Sequence, residues 1–99
     1  MPPIVTEGDP KEAVTQLIKD HSVMVFSKST CPFCIKLKKT FKQERVDFTA
    51  VELDTLGPMG ANMQNALLEL TGQKTVPNVF VNGKHIGEYK ATFQGSHVK

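Results

Sequence analysis

Residues 23–34 have the sequence VMVFSKSTCPFC, which joins a short apolar run to the only two cysteines of the chain. The run Val23–Phe26 is continuously apolar, which is typical of a strand buried on both faces of a parallel or mixed sheet. Cys31 and Cys34 stand at the start of a helix-like stretch, where residues three apart share one face and two sulfur atoms can meet. The partial positive charge of a helix N-terminus stabilises a thiolate. The stretch therefore predicts a redox-active dithiol.

The composition is that of one ordinary globular domain. The chain has 99 residues, of which 39% are apolar and 22% charged, and this is enough for a modest core without disulfide staples. A formal charge of +2 is too small to indicate nucleic-acid binding. No apolar stretch approaches the roughly 20 residues that cross a bilayer, and the N-terminus lacks a signal-peptide pattern. We therefore expect no membrane partner and a reducing, cytoplasmic location, which suits a C-x-x-C pair.

Hydrophobic spacing divides the rest of the chain into alternating helices and strands. Residues 1–8 show no periodicity and are expected to form a flexible lead to a domain spanning residues 9–99. Asn82-Gly83 lies between two strand-like runs and predicts a hairpin, because both residues of such a turn need positive φ. The predicted order is α-β-α-β-α-β-β, over residues 9–20, 22–27, 35–43, 48–53, 63–71, 79–81 and 84–86, with a loop at 55–60.

The spacing of apolar residues also predicts which helix faces are buried. On the helix after the cysteines, the stripe expected to face the core consists of Cys34, Leu37 and Phe41. The rest of that helix carries four lysines expected to be solvated, namely Lys36, Lys38, Lys39 and Lys42. The next helix has an apolar stripe of Met63, Ala66, Leu67 and Leu70. Cys34 is therefore expected to be more buried than Cys31.

Five short motifs, in this order, resemble those of glutaredoxins. They are FSK at 26–28, CPFC at 31–34, VELD at 51–54, TVP at 75–77 and FVNGKHIG at 80–87. The chain is similar to dithiol glutaredoxins of the CPFC type and to the glutaredoxin domain of thioredoxin-glutathione reductases. The resemblance implies an α/β thioredoxin fold with a four-stranded mixed sheet flanked by helices. It also implies a glutathione-dependent thiol-disulfide oxidoreductase that reduces protein disulfides and glutathione mixed disulfides.

The two cysteines have distinct expected roles. Cys31 is the candidate nucleophile, because an exposed helix N-cap favours the thiolate, and Lys28 can add positive charge nearby. Cys34 is the candidate resolving thiol, which attacks a mixed disulfide on Cys31. The alternatives are a buried, inert thiol for Cys31 and a plain core position for Cys34. Partial burial of Cys34 would keep its pKa high and is compatible with the resolving role.

By resemblance, glutathione is both reductant and substrate and is held by residues flanking the dithiol. Lys28 and Gln64 would hold its glycyl carboxylate, Val76 its cysteinyl main chain, and Phe33 would flank the sulfur. Thr75-Val76-Pro77 resembles the family's cis-proline loop facing the dithiol. The alternatives are an ordinary trans proline and a solvated Gln64. The other expected partners are disulfide-containing or glutathionylated proteins, and the chain is expected to be a monomer.

Metal binding is the other common use of a C-x-x-C pair. Structural zinc needs four protein ligands, and the chain adds only His21, His85 and His97 to the two cysteines, with no ligand-like spacing. Some glutaredoxins share an iron–sulfur cluster across a dimer through the first cysteine and glutathione. Pro32 beside Cys31 matches those members poorly. We therefore expect no metal site.

The chain departs from the family pattern after Gly87. Where the family has a second glycine and, two residues later, an aspartate that accepts from the γ-glutamyl ammonium of glutathione, this chain has Glu88 and Lys90. Glu88 would place a carboxylate near that of glutathione or, alternatively, serve as a substitute acceptor for the ammonium. Lys90 would repel the γ-glutamyl ammonium, and the lost charge-assisted bond costs about 1.5–3 kcal/mol. Residues 91–99 allow only a short or divergent final helix, with Phe93 as its apolar anchor. The alternative function is thus a domain with impaired glutathione binding, acting as a general dithiol reductant or a redox-sensitive binding module.

Overall fold

Helices and strands alternate in the predicted order in the computed structural model, which describes residues 8–87. The helices are α1 (Pro10–Asp20), α2 (Pro32–Gln43) and α3 (Pro58–Thr71), with a short 3-10 helix at Leu53–Thr55. The strands are β1 (Val23–Ser27), β2 (Thr49–Glu52), β3 (Asn78–Val81) and β4 (Lys84–Gly87). No helix in this part of the chain is both long and apolar enough to span a membrane.

The four strands form one mixed sheet in the order β2-β1-β3-β4. β1 pairs in parallel with β2, with Val25 opposite Ala50, and antiparallel with β3. β3 and β4 form the predicted hairpin, in which Asn82 and Gly83 have φ of 50° and 80°. Both values are positive, as a two-residue hairpin turn requires. This strand order with helices on both faces is the thioredoxin fold that the sequence predicts.

Two apolar clusters cover the two faces of the sheet, because successive residues of β1 point to opposite sides. Met24 and Phe26 pack with residues of α1 and α3, where Phe26 meets Phe80 edge-on at a ring-centroid distance of 5.8 Å. Val25 packs on the other side with the α2 stripe. The central strand is therefore buried on both faces, and its carboxyl end leads into the dithiol.

The helices begin earlier than the sequence predicts. α2 begins at Pro32 rather than Ile35, and α3 begins at Pro58, so the predicted loop at 55–60 is wrong over its last three residues. Proline is favoured at the first position of a helix, where its missing N–H has no partner to lose, and α1 likewise begins at Pro10. Gly60 belongs to α3 and lies so close to the 3-10 helix that an added Cβ would stand 1.8 Å from the Leu53 carbonyl oxygen. Only glycine permits this approach.

The predicted burial is confirmed for most of the apolar stripes. Cys34, Leu37 and Phe41 are buried, as are Met63, Ala66 and Leu67. Leu70 is an error of the prediction, because 46% of it is exposed, and Lys38 is only partly exposed and ion-paired. The predictions about Glu88, Lys90, Phe93 and the final helix lie outside the described residues, as do those about residues 1–7.

Candidate active site

Cys31 occupies the N-cap of α2. Its backbone is extended, with φ −82° and ψ 117°, and its Sγ accepts a hydrogen bond from the Cys34 N–H at 3.3 Å. The side chain is half-buried. The sulfur thus accepts from a backbone donor at the N-terminal end of the helix, where the helix dipole is positive.

Cys34 lies one turn further along α2, on its core-facing stripe. It is fully buried, and both thiols are free rather than bonded to each other. Burial raises the pKa of Cys34 to about 11, with a smaller contribution from a hydrogen bond to Cys31. The two thiols, three residues apart, therefore differ in access, since Cys31 is half-buried and Cys34 is fully buried, and this suits the distinct roles predicted for them.

A loop from the other end of the site lies against the dithiol. The Val76–Pro77 peptide bond is cis, as the resemblance implies, and Pro77 is buried. The Cys31 thiol donates a long hydrogen bond to the Val76 carbonyl, with 3.8 Å between sulfur and oxygen. Val76 also packs against the apolar cluster under α1 and α3. The structure therefore places the predicted cis-proline loop beside the predicted nucleophile.

Two glutamine side chains hold this loop in place. Gln73 Nε2 donates to the carbonyls of Thr75, at 3.0 Å, and Pro77, at 3.1 Å. Its Oε1 lies 3.2 Å from His85 Nε2 on β4. Gln64 Nε2, from α3, donates to the Lys74 carbonyl at 2.7 Å. Gln64 is therefore a brace of the loop rather than a solvated helix residue.

Sequence reasoning missed Gln73 and treated His85 as an ordinary strand side chain. His85 Nε2 also contacts Asn78 Oδ1, at 2.9 Å, and partial burial lowers the pKa of this imidazole. The only signal available beforehand was position, since Gln73 lies two residues before the Thr-Val-Pro motif. A glutamine there can donate to the backbone that the motif leaves without a sheet partner.

The loop before α2 carries Lys28 and is tied to the 3-10 helix. Lys28 is half-buried, and its carbonyl accepts from the Cys31 N–H at 3.0 Å. Both the backbone N–H and the hydroxyl of Ser29 donate to the Asp54 carboxylate. These bonds from Ser29, and more weakly the charge of Lys28, lower the pKa of Asp54. The bonds between Ser29 and Asp54 thus anchor the loop that leads to Cys31.

The remaining predicted site residue, Phe33, lies in the first turn of α2 between the cysteines. The residue is 56% exposed. Within residues 8–87, no group of three or more His, Cys, Asp and Glu side chains is placed to hold a metal ion.

Comparisons with known proteins agree with this geometry. The glutaredoxin family model matches residues 23–86. The chain is 58% identical over 72 residues to glutaredoxin-C6 of Oryza sativa subsp. japonica, a match covering 73% of this chain and 63% of the rice protein, which is less than two thirds of that relative.

Solved structures share both the architecture and part of the sequence. The holo form of glutaredoxin C1 from Populus tremula x tremuloides superposes with a TM-score of 0.88 at 34% identity, covering 93% of this chain and 90% of that one. The buckwheat glutaredoxin–glutathione complex superposes with a TM-score of 0.86 at 38% identity, covering 90% and 80%. With the matched family model spanning more than half of its residues, this chain belongs to the glutaredoxin family.

Proposed function

We propose that this chain is a glutathione-dependent thiol-disulfide oxidoreductase that reduces protein disulfides and glutathione mixed disulfides. The observation that carries the proposal is the pair of free thiols at the start of α2, one at the N-cap and half-buried, the other in the core. Membership of the glutaredoxin family supports the same chemistry. The buckwheat relative was solved in complex with glutathione, which supports glutathione as the small thiol used here.

The first step uses Cys31. Its thiolate attacks one sulfur of the substrate disulfide, a new sulfur–sulfur bond forms at Cys31, and the other substrate sulfur leaves with the electron pair and takes up a proton. Cys31 lies at the N-cap of α2, and the Val76 carbonyl oxygen, 3.8 Å from the Cys31 sulfur, lies beside the approaching substrate sulfur. The cis-proline loop is thus placed to orient the main chain of the substrate.

Two routes complete the reaction. In the dithiol route, Cys34 loses its proton and attacks Cys31, which releases the bound thiol and leaves a Cys31–Cys34 disulfide. In the monothiol route, glutathione attacks a glutathione–Cys31 mixed disulfide and leaves as glutathione disulfide. In both routes the substrate gains two electrons, which come from the dithiol or from glutathione.

We place glutathione along the loop that faces Cys31. Val76 would pair with its cysteinyl main chain, and Thr75 and Pro77 would shape that edge. Lys28 and Gln64 would hold the glycyl carboxylate, and Phe33 would cover the sulfur. The two glutamine braces support this placement, because a backbone held rigid before binding loses little entropy when the ligand arrives.

The proposed setting follows from the same chemistry. We propose that the protein acts as a monomer in the reducing environment of the cytoplasm, with disulfide-containing or glutathionylated proteins as partners. A C-x-x-C pair in such a compartment is reduced by the glutathione pool after each turnover.

The test is a glutathione-coupled assay on a small glutathione mixed disulfide, with Cys31→Ser and Cys34→Ser beside the unmodified chain. We expect Cys31→Ser to be inactive and Cys34→Ser to retain the monothiol route. Activity that survives in Cys31→Ser would contradict the proposal.

The sequence beyond Gly87 favours a second candidate, a domain with a weakened grip on glutathione that acts as a general dithiol reductant or a redox-sensitive binding module. This candidate rests on Glu88 and Lys90, because the Lys90 cation would repel the γ-glutamyl ammonium. Very low turnover of the unmodified chain in the glutathione assay, together with restored turnover in Lys90→Asp, would favour this candidate over the first.

A further inference from the structure

A groove lies between α2 and β2, which is an edge strand of the sheet. Its volume is about 590 Å³, and its apolar lining consists of Ile35, Phe48 and Ala50. Phe48 and Ala50 pack against the apolar cluster beneath α2, where the Phe48 ring centroid lies 5.5 Å from that of Phe41. The floor of the groove is therefore held by the core, and Ile35, which is 52% exposed, extends this apolar surface onto the helix.

One wall of the groove is a face of α2 that begins at the nucleophile. Ile35 lies one turn after Cys31, and its N–H donates to the Cys31 carbonyl at 3.0 Å. Lys38, Lys39 and Lys42 continue the same face, because residues three or four apart are neighbours on a helix. With a rise of about 1.5 Å per residue, Lys39 lies about 12 Å and Lys42 about 16 Å along the helix axis from Cys31. Residues that flank the cysteine of a bound substrate can therefore reach the groove.

The groove carries unpaired positive charge. Lys38 and Glu52 form an ion pair in it, with 2.5 Å between Nζ and Oε2, so their charges cancel. Lys39 and Lys42 are exposed and have no ion pair within residues 8–87. Exposed lysines alone are ordinary, but here two of them stand beside an apolar groove. This combination suits a ligand that presents carboxylates next to an apolar side chain.

We propose that the groove binds an acidic segment of the protein substrate, next to the cysteine that reacts with Cys31. An extended chain advances about 3.3 Å per residue, so the fourth and fifth residues from that cysteine lie roughly opposite Lys39 and Lys42. An apolar side chain one or two residues nearer the cysteine would pack on Ile35 and Phe48. The inference rests on the proposed function and names its substrate class, which is disulfide-bonded or glutathionylated cysteines flanked by aspartate or glutamate.

The charges should act on the choice of substrate more than on the chemistry. Exposed ion pairs are weak individually, but carboxylates attracted to two cations raise the rate of encounter and orient the segment before the sulfur atoms meet. Dissolved salt screens such charges, since the Debye length falls from about 10 Å at 0.1 M to about 3 Å at 1 M. A preference for acidic substrates that depends on Lys39 and Lys42 should therefore disappear at high salt, whereas the thiol exchange itself should persist.

The test compares two synthetic peptides that each carry one glutathionylated cysteine and a leucine three residues from it. One has glutamates at the fourth and fifth positions from the cysteine, and the other has glutamines there. Each peptide is made with this segment before and after the cysteine. The kcat/KM for removal of glutathione is measured for the unmodified chain and for the double variant Lys39→Gln/Lys42→Gln. The matched control is Lys19→Gln/Lys84→Gln, which removes the same charge at exposed lysines outside the groove.

At low ionic strength, we expect kcat/KM for the acidic peptide to exceed that for the neutral peptide about five- to tenfold in at least one orientation. This ratio should fall to about twofold or less in Lys39→Gln/Lys42→Gln and stay unchanged in the control. In about 1 M salt the preference should be lost in all three proteins. A small glutathione mixed disulfide that lacks the segment should be reduced equally by all three, which separates binding of the segment from binding of glutathione.

Three kinetic outcomes would overturn the proposal. They are equal kcat/KM for the two peptides in both orientations, an equal loss of preference in the control, and an equal loss on the small mixed disulfide, which indicates that the lysines act on glutathione itself. If the unmodified chain turns over no substrate, the proposed function fails, and binding of peptide copies with serine in place of cysteine decides the inference. NMR shift changes at Ile35 and Phe48 with the acidic copy, lost in Lys39→Gln/Lys42→Gln, would support the groove, and their absence in the unmodified chain would overturn it.

Discussion

The two sides of the active site are held together in different ways. On one side, the dithiol is organised locally, since Cys31 caps α2 and accepts from the Cys34 N–H three residues away. On the other side, the cis-proline loop is organised at long range, by Gln64 from α3 and by the contact of Gln73 with His85 on β4. The geometry of the dithiol therefore depends on one turn of helix, whereas that of the cis-proline loop, which we propose orients the substrate, depends on contacts from α3 and β4.

This difference indicates how the two sides should fail. A change near α2 should alter the chemistry of the thiols while the fold persists. A change under α3 or β4 should loosen the loop, and with it substrate binding, while the thiols keep their reactivity. Five measurements, described from the largest expected effect to the smallest, test this division.

Gly60→Ala should have the largest effect, and it acts on the side of the cis-proline loop. The new Cβ would stand 1.8 Å from the Leu53 carbonyl oxygen, so α3 must shift away from the 3-10 helix and carry Gln64 with it. We expect a loss of about 3 kcal/mol in the free energy of unfolding, measured by urea denaturation. Asn65→Ala, at an exposed position of the same helix, is the control. Equal stability of the two variants would show that the close approach is not required.

The pH dependence of Cys34 alkylation tests the side of the active site that carries the dithiol. A pKa of about 11, raised by burial, makes its thiolate at neutral pH roughly a hundredfold scarcer than that of an ordinary thiol. Mass spectrometry after iodoacetamide treatment of Cys31→Ser should show Cys34 protected until the pH becomes strongly alkaline. Rapid modification at neutral pH would contradict the predicted asymmetry.

The same shift has a consequence for stability. Because folding raises the pKa of Cys34, the neutral thiol stabilises the folded state fully at pH values below about 9, and this contribution is lost as the pH rises toward about 11. The melting temperature should therefore fall over that range by more in Cys31→Ser than in a variant that also carries Cys34→Ala.

Gln73→Ala should loosen the loop without touching the dithiol. It removes the donors to the Thr75 and Pro77 carbonyls, at about 1 kcal/mol for each hydrogen bond. We expect a several-fold rise in the KM for glutathione in the coupled assay, with the rate of Cys31 alkylation unchanged. Gln16→Ala is the control, because that exposed glutamine bonds within α1, to Asp20. A fall in kcat at constant KM would argue against a role in positioning the loop.

Asp54→Asn should have the smallest effect. Hydrogen bonds from Ser29 lower the pKa of Asp54, so its stabilising contribution is present above the ordinary carboxyl pKa and is lost as the pH falls through the lowered value. On mild acidification, we expect the melting temperature of the unmodified chain to fall slightly more than that of Asp54→Asn, with a difference of about a degree or two at most. In Asp47→Asn, which changes another exposed carboxylate, the melting temperature should vary with pH as it does in the unmodified chain. The same pH dependence in all three proteins would show that the bonds from Ser29 to Asp54 do not contribute to stability.

The parts of the molecule that could be predicted are those in which burial or backbone geometry enforces a regular spacing of residues along the chain. The stripe of Cys34, Leu37 and Phe41, the continuous apolar run of β1 and the Asn82-Gly83 turn each follow from spacing that burial or backbone geometry enforces. The cis bond before Pro77 was predictable only through the family resemblance, since an isolated proline is normally trans.

The parts that were not predictable depend on where distant elements come to lie. Pro58 was placed in a loop, although proline also starts helices, and only the packing of α3 on the 3-10 helix decides between the two. The bonds from Gln73 to the cis-proline loop and from Ser27 to Glu52 join side chains to distant elements, and no periodicity in the sequence reveals them. Leu70 was placed in the core because its spacing fits the stripe, but the helix ends where its side chain faces outward.

One further consequence concerns the Gln73 side chain, which contacts the cis-proline loop with its amide nitrogen and β4 with its amide oxygen. Three contacts of one side chain thus join the cis-proline loop to β4. We expect a ligand that stiffens the loop to stiffen β4 as well, and thermodynamic reciprocity requires the converse. A change at His85 on β4 should therefore reach the loop through Gln73.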